Sequence, residues 1–262
     1  MNIELLSQAP AVAGQKTPIL FIHGAWHGAW CWEKYFMPYF AAKGYPVYAL
    51  SFRGHGKSGG ARGLRFYRVK DYVKDLRRVI DRMPVPPILV AHSLGGHVVQ
   101  KYLESRLSPA AVLMAPVPVG GILKMLQRLV RTHPFLFLKV NLFVSLYPFI
   151  GTPKMAKEML FSEAMGPDEI TEYHGKLQDE SYLSFLDMLL LAPIKPRRVK
   201  SQVLVMGAEN DMVFYRRDMR KTARAYNHKA VIMSDMAHDM MLEKNWQKAA
   251  DVILDWLAAR DL

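Results

Sequence analysis

Apolar positions along this chain follow two periods that alternate over most of its length. Short continuous apolar runs lie near 17–22, 45–50, 86–91, 110–114, 202–206 and 229–233. Runs of that length, bounded by proline, glycine or polar residues, read as buried strands. Stretches near 30–43, 69–82, 94–106, 215–226 and 245–259 instead carry apolar residues at helical spacing. Strand alternating with helix predicts an α/β fold, a mainly parallel sheet flanked by helices on both faces. Residues 2–6 are expected to add a short edge strand. The alternation stops between Pro116 and Pro196, where apolar and helical patterns continue without a strand–helix–strand unit. There Ile122, Met125, Leu126 and Leu129 share one helical face, with Lys124, Gln127, Arg128 and Arg131 opposite. Phe135, Leu136, Phe137, Leu138, Phe143 and Phe149 keep the segment apolar. The expected organisation is a core of residues 1–115 and 197–262, interrupted by a helical insertion over 116–196.

Candidate chemistry lies at the strand ends. The run Pro87-Ile88-Leu89-Val90 leads into Ala91-His92-Ser93-Leu94-Gly95-Gly96, and helical spacing follows at once. A strand that turns sharply through a serine into a helix lifts the hydroxyl above the sheet. It also aims the helix N-terminus at whatever that serine attacks. The competing reading of Ser93 is an ordinary helix cap. The strand 202–206 ends in Gly207 and is followed by Glu209 and Asp211. A carboxylate in that place can orient a histidine. Asp211 is the candidate, with Glu209 as a rival whose bland reading is a solvated loop charge. After the last strand comes His238, whose imidazole, with an ordinary pKa near ~6.5, suits proton transfer at neutral pH.

Together these motifs resemble the α/β-hydrolase family, of the serine esterase and lipase type. The usual pentapeptide is G-x-S-x-G, and here Ala91 stands at the first glycine. The resemblance implies Ser93 as nucleophile, Asp211 as acid and His238 as base, in the chain order the family uses. Gly207 to Asp211, with Val213 and Phe214, resembles the family's acid loop. His23-Gly24 after the strand 17–22 resembles its oxyanion loop, which implies the backbone N–H groups of Ala25 and Leu94 as donors. The run from His23 to Trp32, H-G-A-x-H-G-x-W-x-W, is similar to plant methyl esterases and hydroxynitrile lyases. Those lyases carry lysine after the catalytic histidine, where this chain has Asp239. His23, His92 and His97 read as structural, and His27, Trp30 and Trp32 as loop packing. The insertion 116–196 occupies the family's cap position.

Charge and composition narrow the picture. The chain has 262 residues and a formal net charge of +12. Such a balance invites a nucleic-acid or membrane partner, yet the basic residues are spread and no nucleic-acid module is visible. No acidic residue occurs between Glu104 and Glu158, while Lys124, Arg128, Arg131, Lys139, Lys154 and Lys157 do. This suggests peripheral contact of a basic, apolar cap with an anionic membrane. Gly54-His55-Gly56-Lys57-Ser58 superficially suggests a phosphate loop, but Ser51 stands where that pattern needs glycine. It reads as the family's R-G-H-G-x-S scaffold turn. No metal-ligand spacing or dinucleotide fingerprint occurs, so no cofactor and no metal are expected. The single cysteine, Cys31, and the lack of a signal-peptide pattern suggest a cytoplasmic protein. The expected function is hydrolysis of a hydrophobic carboxylic ester, such as a monoacylglycerol or lysophospholipid, through an acyl-enzyme. Alternatives are a C–C hydrolase, a lyase or an acyltransferase on the same residues, or a non-catalytic ligand receptor.

Overall fold

A computed structural model describes residues 1–11 and 16–262. Its strands are β1 (Leu5–Gln8), β2 (Ile19–Ile22), β3 (Val47–Leu50), β4 (Ile88–His92), β5 (Ala110–Met114), β6 (Gln202–Ala208) and β7 (Val231–Met233). They form one sheet in the order β1-β3-β2-β4-β5-β6-β7. Only β1 runs antiparallel, against β3. The strand–helix alternation predicts this mainly parallel α/β sheet, and its helical insertion between β5 and β6 is what the resemblance to α/β-hydrolases implies.

The helices beside the sheet are α1 (Trp30–Glu33), α2 (Phe36–Ala42), α3 (Val69–Ile80) and α4 (Ser93–Leu103). Between β5 and β6 lie α5 (Leu123–Thr132), α6 (Pro134–Phe143), α7 (Pro153–Leu160), α8 (Pro167–His174) and α9 (Tyr182–Leu186). The chain closes with α10 (Arg216–Ala225) and α11 (Trp246–Ala258). The single helix expected over 30–43 is therefore two. Pro38 explains the break, because its ring would clash with the carbonyl four residues back, that of Lys34. Tyr35 accordingly leaves the helical region at φ −128°. The edge strand also starts later than 2–6. Residues 2 and 4 instead clamp the turn after β3: Gly59 N–H donates to the Asn2 carbonyl, and the Glu4 carboxylate accepts from Ser51 Oγ.

Each central strand is buried on both faces, and alternate residues feed two cores. Ile19, Phe21, Ile88 and Val90 enter one, with Trp32 and Phe36. Leu20, Ile22, Leu89 and Ala91 enter the other, with Leu76 and Val98. Segment 116–196 contributes to both, through Phe161 and Tyr173 on one side and Ile122, Phe149 and Phe185 on the other. The parallel strands leave their carboxyl ends along one edge. The residues following β2, β4, β6 and β7 there include Ala25, Ser93, Asp211 and His238.

Candidate active site

Ser93 follows β4 directly and opens α4 at φ +49°. A non-glycine residue held there stores about 1–3 kcal/mol of strain and projects its side chain from the turn. The surroundings permit nothing bulkier nearby. A Cβ on Gly95 would overlap the His23 carbonyl of the neighbouring loop, and one on Gly24 would lie 2.9 Å from Ser93 Cβ. The oxyanion-type loop and the serine turn are therefore in backbone contact.

His238 Nε2 lies 2.9 Å from Ser93 Oγ, and its Nδ1 lies 2.9 Å from Asp211 Oδ2. Asp211 Oδ1 accepts the N–H groups of Val213 and Phe214 at 2.7 and 2.9 Å. Both carboxylate oxygens are thus engaged, and the carboxylate is fixed facing the ring. Burial alone would lower the His238 pKa. Asp211 beside it, with a smaller effect of Asp239, more than offsets this and holds it above the ordinary value. The rival Glu209 lies away from this group, half exposed and paired with Arg216 at 2.8 Å.

Ala25 and Leu94 line the same cavity as Ser93. The Ala25 N–H makes no hydrogen bond among the described residues. Leu94 is the second residue of α4, where N–H groups lack an intrahelical acceptor. Apart from Ser93 and Glu180 the side chains lining the cavity are apolar, and Ile122, Leu129, Leu146, Phe149 and Phe185 among them come from segment 116–196. The cavity's volume for the centre of a water-sized sphere is only about 40 Å³. The space is a narrow greasy slot.

His23, His27, His92 and His97 are engaged in structure. His23 Nδ1 donates to the Gly24 carbonyl and its Nε2 accepts from Phe52 N–H. His97 Nε2 donates to the Ala192 carbonyl, tying α4 to the segment before β6. His92 Nε2 donates to the His238 carbonyl at 3.0 Å, so it braces the histidine loop as well as the serine turn. Trp30 stacks on His27, and Trp32 on Phe21 in the core. His27 has a further contact that its motif does not reveal. Its Nε2 lies 3.0 Å from Asp239 Oδ2, with both side chains fully buried. Burial alone would raise the Asp239 pKa, but His27 overrides it and holds the carboxyl below its ordinary value. No sequence signal links residues 27 and 239; only the fold brings them together.

His92, His238 and Asp239 are close enough to share an ion. Both ring nitrogens of His238 are already committed to Ser93 and Asp211, and His92 Nε2 to a carbonyl. A metal there would have to displace the relay itself.

Residues 19–252 match the alpha/beta hydrolase family. The chain belongs to that family. A monoacylglycerol lipase of Mycolicibacterium smegmatis is 40% identical to this chain over 68 residues, 24% of each. Methyl jasmonate esterase 1 of Vitis vinifera is 34% identical over 104 residues, 38% of this chain and 39% of that one. These matches thus span between a quarter and two-fifths of each relative's length. The crystal structure of Paleococcus ferrophilus monoacylglycerol lipase shares the fold across 99% of both chains, with a TM-score of 0.73 and 22% identity.

Proposed function

We propose that this hydrolase cleaves carboxylic esters with a hydrophobic acyl group, using Ser93 as nucleophile. The hydrogen-bonded chain Ser93–His238–Asp211, at 2.9 Å per link, carries the reading. Ser93 Oγ attacks the acyl carbon as His238 Nε2 takes its proton. Asp211 holds the ring with Nδ1 protonated and stabilises the imidazolium. The Ala25 and Leu94 N–H groups receive the developing oxyanion, each such donor contributing about 3–4 kcal/mol to barrier lowering. His238 returns the proton to the departing alcohol, and water then attacks the acyl-enzyme by the same route, releasing the acid. No cofactor enters any step. Residues 116–196 serve as the cap, and their apolar side chains line the acyl slot. The named relatives, a lipase and a methyl esterase, support this reaction class.

The test is a panel of esters compared between wild type and Ser93→Ala. Loss of about 10³–10⁶ in kcat, matched and not compounded in Ser93→Ala/His238→Ala, is expected of groups acting as a unit. Full activity in Ser93→Ala would overturn the reading. So would failure of a fluorophosphonate to label Ser93 together with no turnover of any ester, which would favour a ligand receptor.

Peripheral contact with an anionic lipid surface is a second reading, favoured by α6. Phe135 is 81% and Leu142 72% exposed on that helix, with Leu138 and Phe143 exposed beside them. Patches of this kind mark interaction surfaces, and the neighbouring charges, Arg131 and Lys139, are positive. No helix among the described residues is long and apolar enough to cross a membrane. Phe135→Ser/Leu142→Ser should release the enzyme from phosphatidylserine vesicles; unchanged vesicle binding would remove this reading.

A further inference from the structure

The basic residues of α5 do not point freely into solvent as their helical spacing suggests. They form one wall of a groove against α10. Arg128 donates to the carbonyls of Met212 and Val213, and its guanidinium lies 4.1 Å from the Tyr215 ring centroid. Lys124 lies 3.8 Å from Asp218. The groove has about 570 Å³ open to the centre of a water-sized sphere, within the range of ligand pockets. Lys124, Arg128, Arg131, Arg217 and Lys221 line it against one carboxylate, that of Asp218.

Three of those cations, Arg131, Arg217 and Lys221, have no carboxylate within salt-bridge distance among the described residues. Lys124 and Lys221 also line the groove side by side. The Lys124 pKa is pushed below its ordinary value first by contact with the Lys221 ammonium, with Asp218 opposing. Like charges set side by side destabilise a fold unless something neutralises them. The first turn of α10, with its partial positive charge, borders the same space. Met125, Val213 and Phe214 line both this groove and the slot that holds Ser93. Met125 is an unbranched, adaptable side chain in the shared wall. An anion in the groove would therefore lie one layer of side chains from the reacting serine.

We propose that this groove binds a phosphate group carried by the ester substrate. The substrate class is then an amphiphilic acyl ester, with its apolar chain in the slot and a phosphate monoester or diester between α5 and α10. Arginine and lysine are the side chains suited to such a group, Arg217 and Arg131 as forks and Lys221 and Lys124 as point charges. This assignment rests on the ester-hydrolase reading for its substrate but not for its anion site.

The test uses the full chain and two variants. Arg217→Glu/Lys221→Glu reverses the groove. Lys70→Glu/Lys248→Glu makes the same change in net charge on α3 and α11. Calorimetric titration with inorganic pyrophosphate at low salt should show binding by wild type and by the α3/α11 variant, and none by the groove variant. For kinetics, a short-chain 1-acylglycerol is compared with its 3-phosphate, both dissolved below micelle formation. Wild type should favour the phosphate ester in kcat/KM by about tenfold or more, as expected of charge-assisted hydrogen bonds. The groove variant should lose that preference and keep its rate on the uncharged ester. Equal rates on the two esters in wild type, or a preference that survives charge reversal, would overturn the proposal. Loss of binding to phosphatidate vesicles on groove reversal, without any preference for the dissolved phosphate ester, would overturn it in favour of a membrane contact. If neither ester is cleaved while pyrophosphate still binds only with the groove intact, the anion site stands and the ester reading falls.

Discussion

Asp239 is buried against His27, with Oδ2 3.0 Å from Nε2, and His27 Nδ1 donates to the Ala25 carbonyl at 2.7 Å. The carboxylate that follows His238 in sequence is thus connected through one imidazole to the loop that supplies the Ala25 N–H. His238 feels that carboxylate as a nearby negative charge that favours its protonated form.

A pH shift follows. His238 must be neutral to accept the Ser93 proton, so its raised pKa places the acid limb of kcat/KM above 6.5. Asp239→Asn removes one of the charges raising it. The limb should move to lower pH, and the variant should keep a larger share of its own maximum at pH 6. A pH profile of kcat/KM for both proteins checks this; an unmoved limb would mean Asp239 acts only through packing.

The acid of the relay is expected to be Asp211 and not Glu209. Asp211→Asn keeps the two N–H bonds from Val213 and Phe214 feasible at its carbonyl oxygen but turns a donor toward His238 Nδ1. It should fold normally and lose on the order of 10⁴ in kcat by fixing the wrong tautomer. Glu209→Gln removes only a half-exposed pair with Arg216 and should be nearly silent. Circular dichroism and steady-state rates together decide the assignment.

Acyl preference should rise with chain length until the slot is filled. Each methylene moved from water into the space lined by Leu129, Leu146 and Phe149 can contribute about 0.8 kcal/mol, roughly fourfold in kcat/KM. Phe149→Ala enlarges the slot and should shift the optimum to longer or bulkier acyl groups. A wild-type optimum at acetyl esters would contradict the assignment of this slot to the acyl chain.

Stability should fall in acid through neutral histidines. Burial lowers the His97 pKa to about 4 and the His92 pKa to about 3, and it holds His23 well below its ordinary value. These groups are neutral in both folded and unfolded chains above about 6.5, so they cost nothing there. Below that pH the unfolded chain takes up protons that the folded one refuses, and stability declines until each folded-state pKa is reached. His97→Gln, which can still donate to the Ala192 carbonyl, should reduce this slope by about 1.4 kcal/mol per pH unit between pH 4.5 and 6. Urea denaturation across that range measures it.

The sequence made the sheet and the proposed catalytic residues legible because both rest on local signals. Continuous apolar runs mark the strands, and Ser93, Asp211 and His238 each follow a strand end. The serine turn is also readable, since Ser93 is followed by Gly95 where a neighbouring backbone passes. What periodicity could not give was partnership at long range. Lys124, Arg128 and Arg131 read as one polar helix face, and nothing local indicates that α10 supplies a facing wall. The pairing of His27 with Asp239 is likewise set by how the loops after β2 and β7 converge. The break between α1 and α2 was available in principle from Pro38, but helical spacing on either side of it masks the interruption.

Segment 116–196 fills the same two cores as the sheet, and this bears on how the enzyme can change. Phe149 and Phe185 line the cavity beside Ser93 and at the same time belong to one continuous buried cluster with Leu76, Val98 and other scaffold side chains. Selectivity and folding therefore draw on shared atoms. On the proposed reading, a substitution that admits a new acyl group also edits the scaffold's interior, so the range of ligands this slot accepts can drift only along paths its packing tolerates.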